Sequence, residues 1–134
     1  MIHDKITEKI IKAYYTVYNT LGYGFLEKVY ENALAIELQK NGFLVTKQQN
    51  IDVFYEGHLV GDYFADILVD GLIILELKAA EAICEEHKFQ LINYLKATDK
   101  EVGLLMNFGK KPEFERVIFM NYNKKPMKKS AVIC

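Results

Sequence analysis

The stretch that most constrains the fold runs over residues 63–78, Tyr63-Phe64-Ala65-Asp66-Ile67-Leu68-Val69-Asp70-Gly71-Leu72-Ile73-Ile74-Leu75-Glu76-Leu77-Lys78. Two runs of aliphatic and aromatic residues flank an Asp70-Gly71 pair, the strongest short hairpin signal, and predict two antiparallel strands. Both runs are apolar on both faces, as in the middle of a covered sheet. Asp66, Glu76 and Lys78 interrupt them, and an uncompensated charge in such a place costs on the order of several kcal/mol. These three side chains therefore require partners or a metal ion.

The register decides whether they meet. A two-residue loop at Asp70-Gly71 sets Asp66 opposite Leu75 and sends Asp66 and Glu76 to opposite faces, because one residue of slip flips a side chain. A three-residue loop over 70–72, or an equivalent bulge, pairs Val69 with Ile73 and brings Asp66 opposite Glu76. Lys78 then shares their face with Phe64, Leu68 and Ile74, while Tyr63, Ala65, Ile67, Ile73, Leu75 and Leu77 take the other. The second register is preferred because it gathers two carboxylates and an ammonium at one spot.

Periodicity supplies the rest. Residues 7–21 carry Ile10, Ile11, Tyr14, Tyr15, Val17, Tyr18 and Leu21 at helical spacing, closed by Gly22. A second helix over 25–41, closed by Gly42, sets Leu26, Val29, Tyr30, Ala33, Leu34 and Leu38 on one arc with Glu27 inside it. Glu27 there is either a third carboxylate aimed at the charged hairpin or a helix-start carboxylate favoured by the dipole. Glu37, about 15 Å of rise away, cannot serve the same spot and is given a structural role. Residues 43–55 alternate, with Val45, Lys47, Gln49, Ile51, Val53 and Tyr55 on one face, and predict a strand that Glu56-Gly57-His58 turns into the strand 59–69. His58 is expected to be an exposed loop residue. Residues 85–98 return to helical period with Phe89, Leu91, Ile92 and Leu95 buried and His87, Gln90 and Tyr94 along the border. The apolar run in 101–108 predicts a buried strand parallel to the one ending at Lys78, and 113–122 a final edge strand.

The order is helix, helix, three strands, helix, strand, strand: an α/β chain with a mixed sheet. Residues 1–122 form one expected domain and 123–134 a Lys-rich tail, since 134 residues are one domain's worth. No window approaches the about 18 consecutive apolar residues of a membrane span, and the first residues lack a signal-type core, so a cytoplasmic location is expected. Cys84 and Cys134 make neither a disulfide framework nor a zinc site. Net charge is −1 with pI near 6.3, which argues against non-specific coating of nucleic acid but not against local positive charge. The candidate patch is Lys124, Lys125, Lys128 and Lys129, assisted by Lys110 and Lys111; its alternative is a solvated tail.

An Asp followed by Glu-x-Lys on the next strand, Asp66 and Glu76-Leu77-Lys78, resembles the PD-(D/E)XK nuclease superfamily. Upstream, Gly24-Phe25-Leu26-Glu27-Lys28-Val29-Tyr30 is similar to the motif naming the GxxExxY proteins. Leu21-Gly22, Tyr30-Glu31, Ala35-Ile36-Glu37-Leu38, Glu86-His87, Gln90-Leu91, Asn93 to Thr98 and Gly103 to Gly109 follow that family in order, over residues 7–119. Ala65 stands where the family often has Pro before the Asp, Tyr23 also where it often has Pro, and Tyr18 where it often has His. The resemblance implies a restriction-endonuclease-like αβββαβ core with an extra N-terminal helix and a C-terminal edge strand. It also implies a nuclease acting on nucleic acid, with DNA favoured.

In that reading Asp66, Glu76 and the backbone carbonyl of Leu77 offer a hard, all-oxygen set suited to Mg²⁺ or Mn²⁺, and Glu27 completes it or holds a second ion. Lys78 steadies water or developing charge. Gln90-x-x-x-Tyr94 resembles the Gln-xxx-Tyr motif of RecB-like members, which implies Gln90 near the water or Lys78 and Tyr94 against the nucleic-acid backbone; without the resemblance both are boundary residues. Tyr30, Lys124 and Lys125 join Tyr94 as expected nucleic-acid contacts. Two alternatives stay open: a buried ion-pair cluster in which Lys78 neutralises both carboxylates, and a binding module for nucleic acid or protein without turnover. The nine tyrosines, Tyr14, Tyr15 and Tyr18 among them, would suit an interface, and a homodimer is one possible assembly.

Overall fold

A computed structural model describes residues 2–125. The elements are α1 (Asp4–Leu21), α2 (Glu27–Lys40), β1 (Val45–Tyr55), β2 (His58–Val69), β3 (Ile73–Lys78), α3 (Glu85–Lys96), β4 (Val102–Phe108), β5 (Pro112–Ile118) and a 3-10 turn, Asn121–Asn123. One five-stranded sheet runs β1-β2-β3-β4-β5. Only β3 and β4 are parallel, joined by α3, and β5 closes the far edge antiparallel to β4. This is the mixed α/β architecture expected, with the restriction-endonuclease-like order of elements.

Both faces of the sheet are covered, which is why β3 and β4 read as near-continuous apolar runs. On one face Ile67, Val69, Ile73, Leu75, Leu77, Leu104 and Met106 pack under α1 and α2. On the other, Ala65, Leu68, Ile74 and Leu105 pack under Leu91, Tyr94 and Leu95 of α3. The α1 tyrosines pack against the chain's own core and loops, Tyr15 and Tyr18 remaining half-exposed. Tyr14 is fully buried, Tyr15 packs against the same core, and the Tyr18 hydroxyl donates to the Gly109 and Lys110 carbonyls at 2.6 and 2.8 Å.

The central hairpin adopts the three-residue loop, with Val69 opposite Ile73, Leu68 opposite Ile74 and Ile67 opposite Leu75. Asp70 and Gly71 both have positive φ, 53° and 66°, and Asp70 is clamped to Leu44 by its N–H and its Oδ1, both at 2.8 Å. The β1–β2 ladder runs on to Tyr55 opposite His58, which is exposed but opens β2 rather than lying in the turn. Pairing of β2 with β3 covers only residues 67–69, so the outer half of that hairpin has no third strand beside it.

Three readings of side-chain faces are corrected. Val45 packs with the α1/α2 layer, whereas Ile51 packs under α3, and Ala65 likewise lies under α3 while Ile67 does not. The alternation therefore reverses within both strands, and Tyr63 and Ala65 leave the face assigned to them. In α2 the buried side is Tyr30, Glu31, Leu34, Ala35 and Leu38; Leu26 is 81% exposed, because the helix starts at Glu27 and Leu26 only caps it. In α3 Tyr94 replaces Phe89 on the buried side. Cys84 is exposed with a free thiol. Most of the Lys-rich tail, including Lys128, Lys129 and Cys134, lies outside the described residues.

Candidate active site

The site forms where β2 parts from β3. The ladder stops at Ile67 opposite Leu75, and one step further the two carboxylates take over the hydrogen bonding. The Asp66 N–H donates to Glu76 Oε1 at 2.9 Å, and the Leu77 N–H donates to Asp66 Oδ2 at 2.8 Å. Each carboxylate is thus locked by the other strand's backbone, and the second oxygen of each meets no donor among the described residues.

Glu76 is only 3% exposed. Burial, and after it the negative charge of Asp66, pushes its carboxyl up to about 8, against the milder pull of the Asp66 N–H and Lys78. Asp66 is raised too, first by burial; the Leu77 N–H opposes this, and the charges of Glu31 and Glu27 add to it. Like charges crowd here, the physical signature of a place that prefers a cation.

Lys78 offsets them only through its field, not by contact. Among the described residues it makes no ion pair; its Nζ donates to Gln90 Oε1 on α3 at 3.1 Å. Gln90 Nε2 in turn donates to the Tyr94 hydroxyl at 3.1 Å. Gln90 therefore sits beside Lys78, as the resemblance implied. Tyr94 is only 6% exposed, its phenol pushed up to about 12 by burial and by the Glu76 charge; it holds Gln90 and offers a nucleic-acid backbone little surface. His87, on the same stripe, accepts at Nδ1 from the Cys84 N–H at 3.3 Å and closes the first turn of α3.

The GxxExxY residues build the α1–α2 connection. Gly24 has φ 109°, which only glycine adopts freely. The Tyr30 hydroxyl donates to the Gly22 carbonyl at 2.7 Å and accepts from the Phe25 N–H at 3.2 Å, with its ring stacked on Phe108 at 4.1 Å. Tyr30 is fully buried, so its assignment as a nucleic-acid contact is corrected: it ties the loop that presents Glu27. Glu27 is exposed and lines a cleft of about 470 Å³ with Phe25, Ala79, Ala80 and Gly109. Its charge reaches Asp66 and Glu76. Even so, no group of three His, Cys, Asp or Glu side chains among the described residues stands close enough to hold one ion as arranged.

Two residues escaped the sequence reading. Glu31, one turn beyond Glu27, is 3% exposed; its Oε2 accepts from Lys28 Nζ at 2.9 Å and its Oε1 from Gln48 Nε2 at 2.7 Å. The i, i+4 repeat of Glu27 and Glu31 was the signal for it. Asn107 is fully buried and clamps the chain just after Lys78, donating to the Ala80 carbonyl and accepting from the Ala80 N–H, both at 2.9 Å. Lys124 is corrected as a nucleic-acid contact. Its Nζ donates to the Thr98 and Lys100 carbonyls and to Asn121 Oδ1, at 2.9, 2.5 and 2.5 Å, which uses all three ammonium donors. Lys125 is exposed.

The donor set fits a hard divalent cation: carboxylate oxygens only, two of them oriented by backbone amides and only partly offset by the Lys78 charge. The family model described as the PD-(D/E)XK nuclease superfamily matches residues 4–117. No curated protein and no solved structure matches the chain.

Proposed function

We propose, from the premise that this chain belongs to the PD-(D/E)XK nuclease superfamily, that it is a divalent-metal-dependent nuclease of the GxxExxY group, hydrolysing phosphodiester bonds with DNA favoured. One observation carries the reading: the half-buried Asp66 and the buried Glu76 carboxylates meet at one spot, while the Lys78 ammonium hydrogen-bonds Gln90 and ion-pairs with neither. A purely structural cluster would be closed by a direct ion pair; here crowding and burial raise both carboxyls instead, which a bound cation would reverse.

Asp66, Glu76 and the Leu77 carbonyl, with Glu27 from α2, would hold Mg²⁺ or Mn²⁺. Such an ion supplies charge neutralisation for the phosphate and a more acidic water. Lys78 offsets the negative charge that develops on the phosphate, and Gln90 fixes the direction of its ammonium. Tyr94 holds Gln90 in turn, and Asn107 fixes the exit of β3, so that Lys78 is carried on a rigid strand. Lys125 remains a phosphate contact. A cytoplasmic location belongs to the same proposal, as does a homodimer, since a lone core of this size has little surface for gripping a duplex.

The test is a titration followed by cleavage. Mg²⁺ or Mn²⁺ raises the melting temperature of the parent, and plasmid or single-stranded substrates are cut; Glu76→Gln removes both effects, and Lys78→Ala removes cleavage alone. A parent protein that binds nucleic acid yet never cuts it, with either ion present, would replace the enzyme by a binding module.

A further inference from the structure

Between the outer half of the β1–β2 hairpin and α3 lies a groove of about 560 Å³ that borders the site at Gln90 and Tyr94 and extends beyond it. Its walls carry Tyr63 from β2 and Phe89 and Tyr94 from α3. Tyr63 is 49% and Phe89 57% exposed, although aromatic rings are the side chains that gain most from burial.

We propose that this groove is a stacking slot for an unpaired nucleobase of the strand being cut, an assignment that rests on the nuclease reading. The Tyr63 ring has two close neighbours: its centroid is 5.9 Å from that of Tyr94, and its edge lies against Gly61. A Cβ built on Gly61 would come within 2.9 Å of the Tyr63 ring and 3.4 Å of Val53 Cβ. Gly61 has no positive φ, so what a side chain there would meet is the Tyr63 ring, which it would displace. A preorganised aromatic face is thus kept open to solvent.

The charge of the groove selects the occupant. Glu86 and Lys96 both line it, so the two signs offset each other and no phosphate is gathered there; a base is uncharged and offers a π-face of any sequence. Asn93 adds an amide at the same wall. Gln90, whose carbonyl holds Lys78 at 3.1 Å, lines the groove as well, so a base in the slot belongs to a nucleotide adjoining the reacting phosphate. Duplex ends and single strands present such a base, and intact paired DNA does not.

The experiment measures fluorescence anisotropy of a labelled oligothymidine and of an abasic strand of equal length, with EDTA present so that nothing is cut. The parent binds oligothymidine more tightly; Phe89→Ala and Tyr63→Ala each weaken that binding by about tenfold, as loss of one stacked base implies, and leave the abasic strand unchanged. Gly61→Ala, which displaces the Tyr63 ring, weakens it in the same sense. Phe89 is on a helix surface, so its variant stays informative if Tyr63→Ala fails to fold. Equal affinity for the two strands overturns the slot, as does a normal affinity in Phe89→Ala; if the parent still cuts DNA in either case, the nuclease reading survives and the groove belongs to another occupant, such as a protein segment. A parent that neither binds nor cuts any strand ends both.

Discussion

Gln48 lies across from Asp66 in the β1–β2 register, between the pairs Lys47–Ile67 and Gln49–Ala65, yet the two form no ladder pair and Gln48 is left-handed, φ 54°. That single residue accounts for the reversed alternation: on its two sides β1 and β2 present opposite faces. The kink frees Asp66 to turn its carboxylate to the Leu77 N–H, and buried Glu31 holds the Gln48 amide in place at 2.7 Å. Left-handed backbone at a non-glycine residue costs about 1–3 kcal/mol and persists where surrounding structure enforces it.

Substitutions at position 48 should separate backbone from side chain. Gln48→Gly keeps the left-handed conformation at no steric cost and loses only the link to Glu31, so melting temperature stays near the parent's and metal affinity falls a few-fold. Gln48→Val favours a straight strand. The expected result is loss of about 1–3 kcal/mol of stability and of most cleavage, read by urea melts and turnover. A Val variant with parental activity would show that the kink does not orient Asp66.

Glu76 gives a pH prediction for the metal-free protein. Its carboxyl is near 8 when folded and 4.5 in the unfolded chain, so between these values the folded state binds more protons. Its contribution to stability is therefore fully present below pH 4.5, declines as pH rises, and is lost once pH passes about 8. Urea midpoints without metal should fall across that window, and the fall should be shallower in Glu76→Gln. Added Mg²⁺ or Mn²⁺ should stabilise most at the alkaline end, where the carboxylates need no deprotonation to bind it.

Much of this site was legible in the chain because the charges themselves chose the register: only the three-residue loop let Asp66 meet Glu76, and the loop is the one observed. The parallel placement of β4 followed from an intervening helix in the same way. Uniform alternation failed where Gln48 broke the pleat, since glutamine carries no turn propensity to announce a left-handed residue. Reading α2 by its apolar arc hid Glu31, whose burial rests on Lys28 and Gln48, partners on the helix surface and on another strand. Helical spacing alone sets Phe89 with the core and Tyr94 at its border; the face that packs on the sheet is instead centred on Leu91, Tyr94 and Leu95, which leaves Phe89 outside.

Lys78 should prove cheap to remove for stability and costly for function. Breaking a buried ion pair typically costs about 3–5 kcal/mol, but Lys78 forms no ion pair among the described residues and hydrogen-bonds Gln90, so Lys78→Ala should cost less than about 2 kcal/mol while cleavage drops at least about a hundredfold, as for other groups that stabilise developing charge. Gln90→Ala should show the same pattern more weakly. Destabilisation of Lys78→Ala beyond the ion-pair range would reassign Lys78 as the carboxylates' structural counterion.

Lys124 and Lys125 are neighbours in sequence with opposite expected phenotypes. Lys124 joins the segment after the 3-10 turn to the Thr98 and Lys100 carbonyls of the α3–β4 turn and to Asn121, and burial holds its ammonium below the usual lysine range. Lys124→Ala should leave the Thr98 and Lys100 carbonyls without their cation and lower stability by about 1–3 kcal/mol, with nucleic-acid affinity changed only as far as the fold is. Lys125 is exposed, so Lys125→Ala should leave the urea midpoint unmoved and flatten the dependence of binding on salt by about one phosphate contact. Paired melts and salt titrations check both variants. A shallower salt slope in Lys124→Ala at parental stability would return that lysine to the nucleic-acid surface.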